Sequence, residues 1–294
     1  MRITWLLDPP PGAELDDLSG VQADALAARG HEVRIIAAER PPSFFGGHRA
    51  EWLELEDWRV IELAADDFVI ATSPQTARLA ADLAGRRAVA RLENALVLPE
   101  ELFRSRAARE HEPLRVLLAG ASQLENRGIE DGYGAVAHAR WFHQTIELVR
   151  VSPWAPSREE PLDGIQEYHV ALSAQEMTRL LHSCDVVVVP SYAEETTSLI
   201  AAAAMAAGLA CVFTDIHAHH FRGERDYALF APARNAVELG EKLIEVTSDE
   251  ERRAALRSRA REVAEQWRPE IAAERIEKDL VRRAEGRSAQ RDEG

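Results

Sequence analysis

Residues Cys184 to Asp215 read CDVVVVPSYAEETTSLIAAAAMAAGLACVFTD, and no other stretch narrows the possible fold as far. The runs Val186–Val189 and Cys211–Phe213 are short, apolar and free of alternation. That is the pattern of strands covered on both faces, as in a sheet sandwiched between helices. Between them a polar loop leads into an alanine-rich segment that reads as a helix. Strand, loop, helix, strand is the βαβ arrangement, and a chain organised around it is an α/β protein.

The same alternation runs through the rest of the chain in two series. Arg2–Leu7 reads as a buried strand, followed by a loop from Asp8 to Glu14 with three prolines and Gly12. Leu15, Leu18, Gln22, Ala25, Leu26 and Arg29 fall at helical spacing, Gly30 closes that helix, and Glu32–Ala37 is the next strand. Residues Arg40 to Asp57 hold a loop, PPSFFGGH, and a short helix in AEWLELEDW. Val60–Leu63, Phe68–Thr72 and Ala88–Leu92 read as strands, and Ser73 with Pro74 starts a helix between the last two. The charged, weakly patterned run Glu93–Pro113 is the expected linker.

A second series begins with LRVLLAG at Leu114. It continues with a helix over Ile129–Trp141, the strand TIELVRVS, a strand over Ile165–Val170, and a helix opened by the Ser173/Glu176 capping box. After the Cys184–Asp215 stretch come a strand over Tyr227–Ala231 and helices over Ala236–Val246, Asp249–Gln266 and Pro269–Glu285. The expected domains are therefore 1–105, 106–268, a C-terminal helix over 269–285 and a frayed tail over 286–294.

Composition excludes several classes. A chain of 294 residues can bury two cores, and 46% hydrophobic with 29% charged residues is ordinary for a globular protein. A net charge of −15 argues against nucleic acid as a partner, because neutralising phosphates needs a basic surface. Lys242 and Lys278 are the only lysines, and there is no G-x-x-x-x-G-K-[ST] loop, so lysine-dependent chemistry is not expected. Charged residues interrupt every apolar run before the roughly 20 residues of a membrane span. MRITWLLDPPPG is too short and too soon acidic for a signal peptide. Cys184 and Cys211, without CxxC spacing, read as two buried thiols, and a cytoplasmic location is expected.

Ligands of an open parallel sheet bind outside the carboxyl ends of its strands. The loops Ala121–Gly128, Ser191–Ser198 and Asp215–His220 are expected there. Glu194-Glu195-Thr196-Thr197-Ser198 runs straight into a helix, whose free N–H groups and dipole favour an anion by roughly 0.3–1 kcal/mol when exposed. Arg127 adds a possible bidentate phosphate contact. Taken alone, this loop is better read as an ordinary N-cap with a solvated acidic face. His217, His219 and His220 lack Cys or carboxylate companions at metal spacing, so a solvated loop is expected there. Gly12 is not part of a G-x-G-x-x-G fingerprint.

The motifs LRVLLAG followed by NRGIED, LSAQEMTRLLHSCDVVVVPS, and E-TTSLI-x-AMAAG with VFTD together resemble the donor-binding half of a GT-B glycosyltransferase of the family 4 type (group 1). The P-G-A-E loop and RGHEV strand are similar to its acceptor half. The resemblance implies two Rossmann-like domains facing a cleft, the first shortened, with the C-terminal helix crossing back to it. It implies a retaining transfer of a sugar from a nucleoside-diphosphate sugar to a glycan or lipid-linked acceptor in cell-surface polysaccharide synthesis. No cofactor or metal is expected, and membrane contact is peripheral at most. By resemblance, Glu195 contacts the donor sugar and is the catalytic candidate. Gly12, Gly120, Arg127, Thr196, Thr197, Ser198 and Leu199 are the donor-binding candidates. Ala121 stands where the family has an arginine, and Ala203 where it has a second, ribose-holding glutamate. The alternative these departures raise is a GT-B-like binding subunit without catalysis.

Overall fold

In the computed structural model, the residues described are 1–7, 17–37, 51–54, 68–71, 78, 80–82, 96–104, 113–142, 145–193, 198–221 and 224–292. They form two compact units, Met1–Pro99 with Trp267–Gly294, and Glu100–Gln266.

The first unit contains strand β1 (Arg2–Leu7), helix α1 (Asp17–Ala28), and strands β2 (Glu32–Ala37), β3 (Glu51–Glu54) and β4 (Phe68–Ala71). The strands pair in parallel in the order β3-β2-β1-β4. Gly30, at φ 84°, closes α1 and lets the His31 N–H reach the Leu26 carbonyl before β2 begins. Ile3, Trp5, Leu6, Leu26, Ile35 and Ile36 form the core, each 1% exposed or less.

One expectation fails in part here. Within AEWLELEDW, Glu51–Glu54 is not helical but strand β3, paired with Arg34–Ala37 of β2, and the other residues of that run lie outside the described ones. A helix this short has a costly nucleus, whereas the open edge of β2 supplies a ready ladder of backbone partners.

The expected linker also has structure. Leu96, Val97 and Leu98 are buried, and the Leu98 N–H donates to the Trp267 carbonyl at 2.9 Å. The final helix, α7 (Pro269–Asp292), belongs to the same unit. It buries Ala272, Ala273, Ile276 and Leu280, and Arg29 donates from Nε to Glu277 Oε2 at 2.8 Å. It continues to Asp292, beyond the Glu285 at which a stop was expected. A lone Gly286 costs a helix only about 1 kcal/mol, too little to end one by itself.

The second unit holds six parallel strands: β5 (Leu114–Ala119), β6 (Ile146–Ser152), β7 (Ile165–Val170), β8 (Val186–Val189), β9 (Ala210–Thr214) and β10 (Leu229–Ala231). Their order is β10-β9-β8-β5-β6-β7. The helices are α2 (Ile129–Trp141), α3 (Ala174–Ser183), α4 (Leu199–Ala207), α5 (Ala236–Ser248) and α6 (Glu250–Ala264).

Val186–Val189 are each 1% exposed or less, as expected of a strand covered on both faces. Burying each such side chain is worth about 1.5–3 kcal/mol. Every residue from Ala201 to Ala207 is fully buried, because methyl side chains let α4 lie close to β8, β9 and α6. The Ser173/Glu176 capping box is present: Glu176 N–H donates to Ser173 Oγ, and Ser173 N–H donates to Glu176 Oε2 at 2.9 Å. Asp185 accepts from the Arg115 N–H at 2.9 Å and ties the start of β8 to β5.

Candidate anion site at the sheet switch point

The chain runs from β5 outward through β6 and β7, then returns to lay β8, β9 and β10 on the other side. The order reverses between β5 and β8, and that is where an open parallel sheet leaves a crevice at its carboxyl ends. The loops leaving β5, β8 and β9 meet there.

Gly120 ends β5 at φ 132°, its N–H donating to the Val151 carbonyl. After a short turn, Glu125–Arg127 forms one 3₁₀ turn, and Gly128, at φ 60°, opens α2. Gly128 lies against the loop leaving β8: a Cβ there would sit 2.1 Å from the Pro190 carbonyl oxygen and 2.8 Å from the Tyr192 ring. The two loops are also hydrogen-bonded, Tyr192 N–H to Asn126 O at 2.7 Å and Asn126 Nδ2 to Ala193 O at 3.3 Å. Arg234 lies over the Tyr192 ring at 4.1 Å and pairs with Glu125, closing the outer edge.

Of the donor-binding candidates, Gly120 and half-buried Arg127 lie on the β5 loop. Ser198 is the N-cap of α4 and Leu199 its first residue. Gly12, Glu195, Thr196 and Thr197 lie outside the described residues. Ser198 is 2% exposed, and its N–H donates to the Ala218 carbonyl at 3.2 Å. Its hydroxyl does not cap α4 and has no hydrogen-bond partner among the described residues. The end of α4 that carries unsatisfied N–H groups therefore also holds a buried hydroxyl with capacity to spare. Ala203 is fully buried, so no carboxylate projects from that position of the helix.

The histidine cluster is not the solvated loop expected. His217–His219 is a 3₁₀ turn, and His219 is fully buried against Phe213, with ring centroids 5.0 Å apart. Its Nδ1 lies 2.8 Å from the Thr214 carbonyl, and Tyr227 donates its hydroxyl proton to the His219 carbonyl at 2.9 Å. Phe213, Tyr227 and Phe230 contact one another or the histidines edge-on, and this aromatic wall draws the turn inward. His220 stays half-exposed and pairs with Asp215 at 2.6 Å. Among the described residues, no group of three or more His, Cys, Asp or Glu side chains is placed to hold a metal ion.

Sequence reading missed one polar cluster. Arg150, on β6, and the Glu160 side chain are both fully buried and paired at 2.9 Å. Glu160 also accepts from Ser122 at 2.5 Å, Tyr133 at 2.6 Å and Tyr168 at 3.1 Å. Burial alone would raise the Glu160 carboxyl, but the hydrogen bonds from Ser122 and Tyr133 and the Arg150 charge hold it below the usual carboxylate range. Because Ser122 belongs to the β5 loop, this carboxylate anchors one wall of the crevice. The available signal was an arginine inside an apolar strand, a residue rarely buried unless paired.

Residues 113–249 match the family described as glycosyl transferases group 1. No curated protein matches the chain by sequence. Among solved structures, HepE of Anabaena in complex with UDP-glucose aligns with a TM-score of 0.67 at 13% identity, over 96% of this chain and 99% of that one. A glycosyltransferase from Rickettsia africae aligns with a TM-score of 0.63 at 11% identity, over 95% and 97%. Sucrose-phosphate synthase from Thermosynechococcus elongatus aligns with a TM-score of 0.62 at 15% identity, over 97% and 100%. Likeness at such identities concerns the fold, and the chain has the GT-B fold.

Proposed function

We propose, for a chain whose residues 113–249 match the glycosyl transferases group 1 family, that it moves a sugar from a nucleoside-diphosphate sugar to a glycan or lipid-linked acceptor. The observation that supports this reading is at the switch point, where the 3₁₀ turn carrying Arg127 follows β5 and a buried Ser198 hydroxyl, without a partner among the described residues, stands at the N-terminus of α4. A helix N-terminus and a guanidinium both favour the growing negative charge of a departing diphosphate, so no metal is required for that step. By the family resemblance, Glu195 is assigned to the donor sugar, and Gly12, Gly120, Thr196, Thr197 and Leu199 to donor binding. HepE of Anabaena, captured with UDP-glucose, supports trying a UDP-sugar first. The reaction is assigned as retaining, cytoplasmic and part of cell-surface polysaccharide synthesis. Among the described residues, no helix is long and apolar enough to cross a membrane.

The test is a thermal-shift screen with UDP, GDP and dTDP, followed by nucleotide release from the matching sugar donors. A ligand present at 100 times its Kd should stabilise the protein by about 2.7 kcal/mol. Arg127→Ala should weaken nucleotide binding by the worth of a charged hydrogen bond, about 1.5–3 kcal/mol or roughly 10- to 100-fold. Glu195→Ala should abolish sugar transfer while nucleotide still binds. No shift with any nucleotide would sink the assignment. The buried methyl of Ala203, where a carboxylate would hold ribose, favours a second reading, a nucleotide-binding subunit without turnover. Binding without release from any sugar donor would select it.

A further inference from the structure

The buried carboxylate of Glu160 decides which way the hydroxyls around it point. Its side chain is fully buried and paired with Arg150, and four donors converge on it. Arg150 Nε and the Tyr133 hydroxyl donate to Oε1 at 2.9 and 2.6 Å. The Ser122 and Tyr168 hydroxyls donate to Oε2 at 2.5 and 3.1 Å. A carboxylate has about four lone-pair sites, and all are taken. The three hydroxyl protons therefore point inward. Ser122 has an alternative acceptor, Gln123 Oε1 at 3.5 Å, but the closer and charged one holds its proton. Place separates Ser122 from the two tyrosines: it is half-buried on the β5 loop, which borders the crevice. That loop is fixed on either side of the serine. Gln123 Nε2 donates to the Ala155 carbonyl at 2.7 Å, and the Gly120 N–H donates to Val151. What Ser122 offers outward is oxygen lone pairs alone.

We propose that Ser122 Oγ accepts a hydrogen bond from a hydroxyl of the bound nucleotide sugar, on its ribose or on the sugar to be transferred. This rests on the donor-site reading above and adds to it a contact that the family resemblance does not assign. A phosphate oxygen only accepts, so it finds no proton at Ser122, whereas a ligand hydroxyl brings the one that is needed. The Glu160 charge behind the serine draws its proton inward and makes its oxygen a stronger acceptor than that of an unbonded hydroxyl. Recognition is thereby divided along one loop, with Arg127 at its far end for the anion and Ser122 at its near end for the neutral group. Ala203 leaves no carboxylate on α4 to take a ribose hydroxyl. Ser122 with Glu160 supplies an acceptor of the same sense from a different element. The negative charge that strengthens it stays buried, away from the diphosphate. Glu160 acts here as a positioning residue through Ser122.

The experiment is calorimetric titration of the whole protein and of Ser122→Ala with UDP, 2′,3′-dideoxy-UDP and UDP-glucose, or with the corresponding GDP or dTDP set where that nucleotide binds instead. If the ribose supplies the hydroxyl, the wild-type protein should bind dideoxy-UDP roughly 3- to 10-fold more weakly than UDP, and Ser122→Ala should lose most of that difference. If the transferred sugar supplies it, Ser122→Ala should weaken UDP-glucose by a similar factor and leave UDP within about twofold. Comparing ligands within one protein cancels any general loss of stability in the variant. Glu160→Gln tests the direction of the bond. Its amide oxygen must serve Arg150, which cannot accept, so its NH2 faces Ser122 and turns the serine proton outward. The hydroxyl preference should then vanish with Ser122 still in place. Where Glu160→Gln does not fold, the Ser122→Ala comparisons decide alone. If UDP binds but Ser122→Ala changes neither comparison, the proposal is overturned, and a hydroxyl preference unchanged in Glu160→Gln overturns it too. Failure of UDP, GDP and dTDP alike to bind overturns the donor-site reading, and this proposal falls with it.

Discussion

Gly128 shows how one residue sets the shape of the crevice. Its φ of 60° is unfavourable for a residue with a Cβ, and the added atom would meet the Pro190 carbonyl at 2.1 Å. Gly128→Ala should therefore cost about 1–3 kcal/mol, read from urea denaturation, and should separate the β5 and β8 loops. Glu160 is the other residue of this weight. Glu160→Gln keeps the shape but leaves Arg150 as a buried charge without its partner, a loss of about 3–5 kcal/mol. The pH dependence has a definite sign. Glu160 titrates lower in the folded protein than its unfolded value of about 4.3, so its contribution is present above that value and is lost as pH falls through the folded one. Wild-type stability should decline with acid in that window, and Glu160→Gln, measured over the same range, should decline less steeply. A variant curve parallel to wild type would refute this role.

At the scale of the element, α4 matters because it is an interior strut whose N-terminus belongs to the candidate anion site. Its run of alanines, all fully buried, leaves no room for larger side chains. Ala204→Leu should cost about 1–3 kcal/mol by overpacking and lower the thermal midpoint, whereas the same change on an exposed helix would be neutral. Gly208, at φ 76°, ends the helix and hands its carbonyl to Arg257 of α6 at 2.9 Å, so α4 is held at its far end as well. Rigidity at one end allows the other, with Ser198, to keep fixed N–H directions toward a ligand.

At the scale of the whole molecule, the first unit is not contiguous in sequence. It needs Trp267 and the buried face of α7 to cover residues that Met1–Pro99 alone leaves open. Truncation after Gln266 should raise hydrogen exchange throughout β1, β2 and α1, while β5, β8 and β9 keep their protection. Loss of protection in both units together would show that they do not unfold separately.

Much of this was legible in the sequence because the signals are local. The valine run at β8, the alanine helix, the Ser173/Glu176 box and Gly30 each follow from side-chain periodicity or a cap, which neighbours in the chain specify. The family resemblance over the second half also rested on contiguous motifs, and the GT-B fold followed from it. Pairings between residues far apart in the chain were beyond reach. Glu51–Glu54 became a strand because β2 offered an edge. His219 went inside because it packs on Phe213 and Tyr227 bonds its carbonyl, and Arg150 was tolerated because Glu160 arrives from the next loop. Local periodicity and capping are written in adjacent residues, so the sequence by itself determined the elements and their class. Burial and charge compensation depend on which distant side chains meet, and only the tertiary structure decided those.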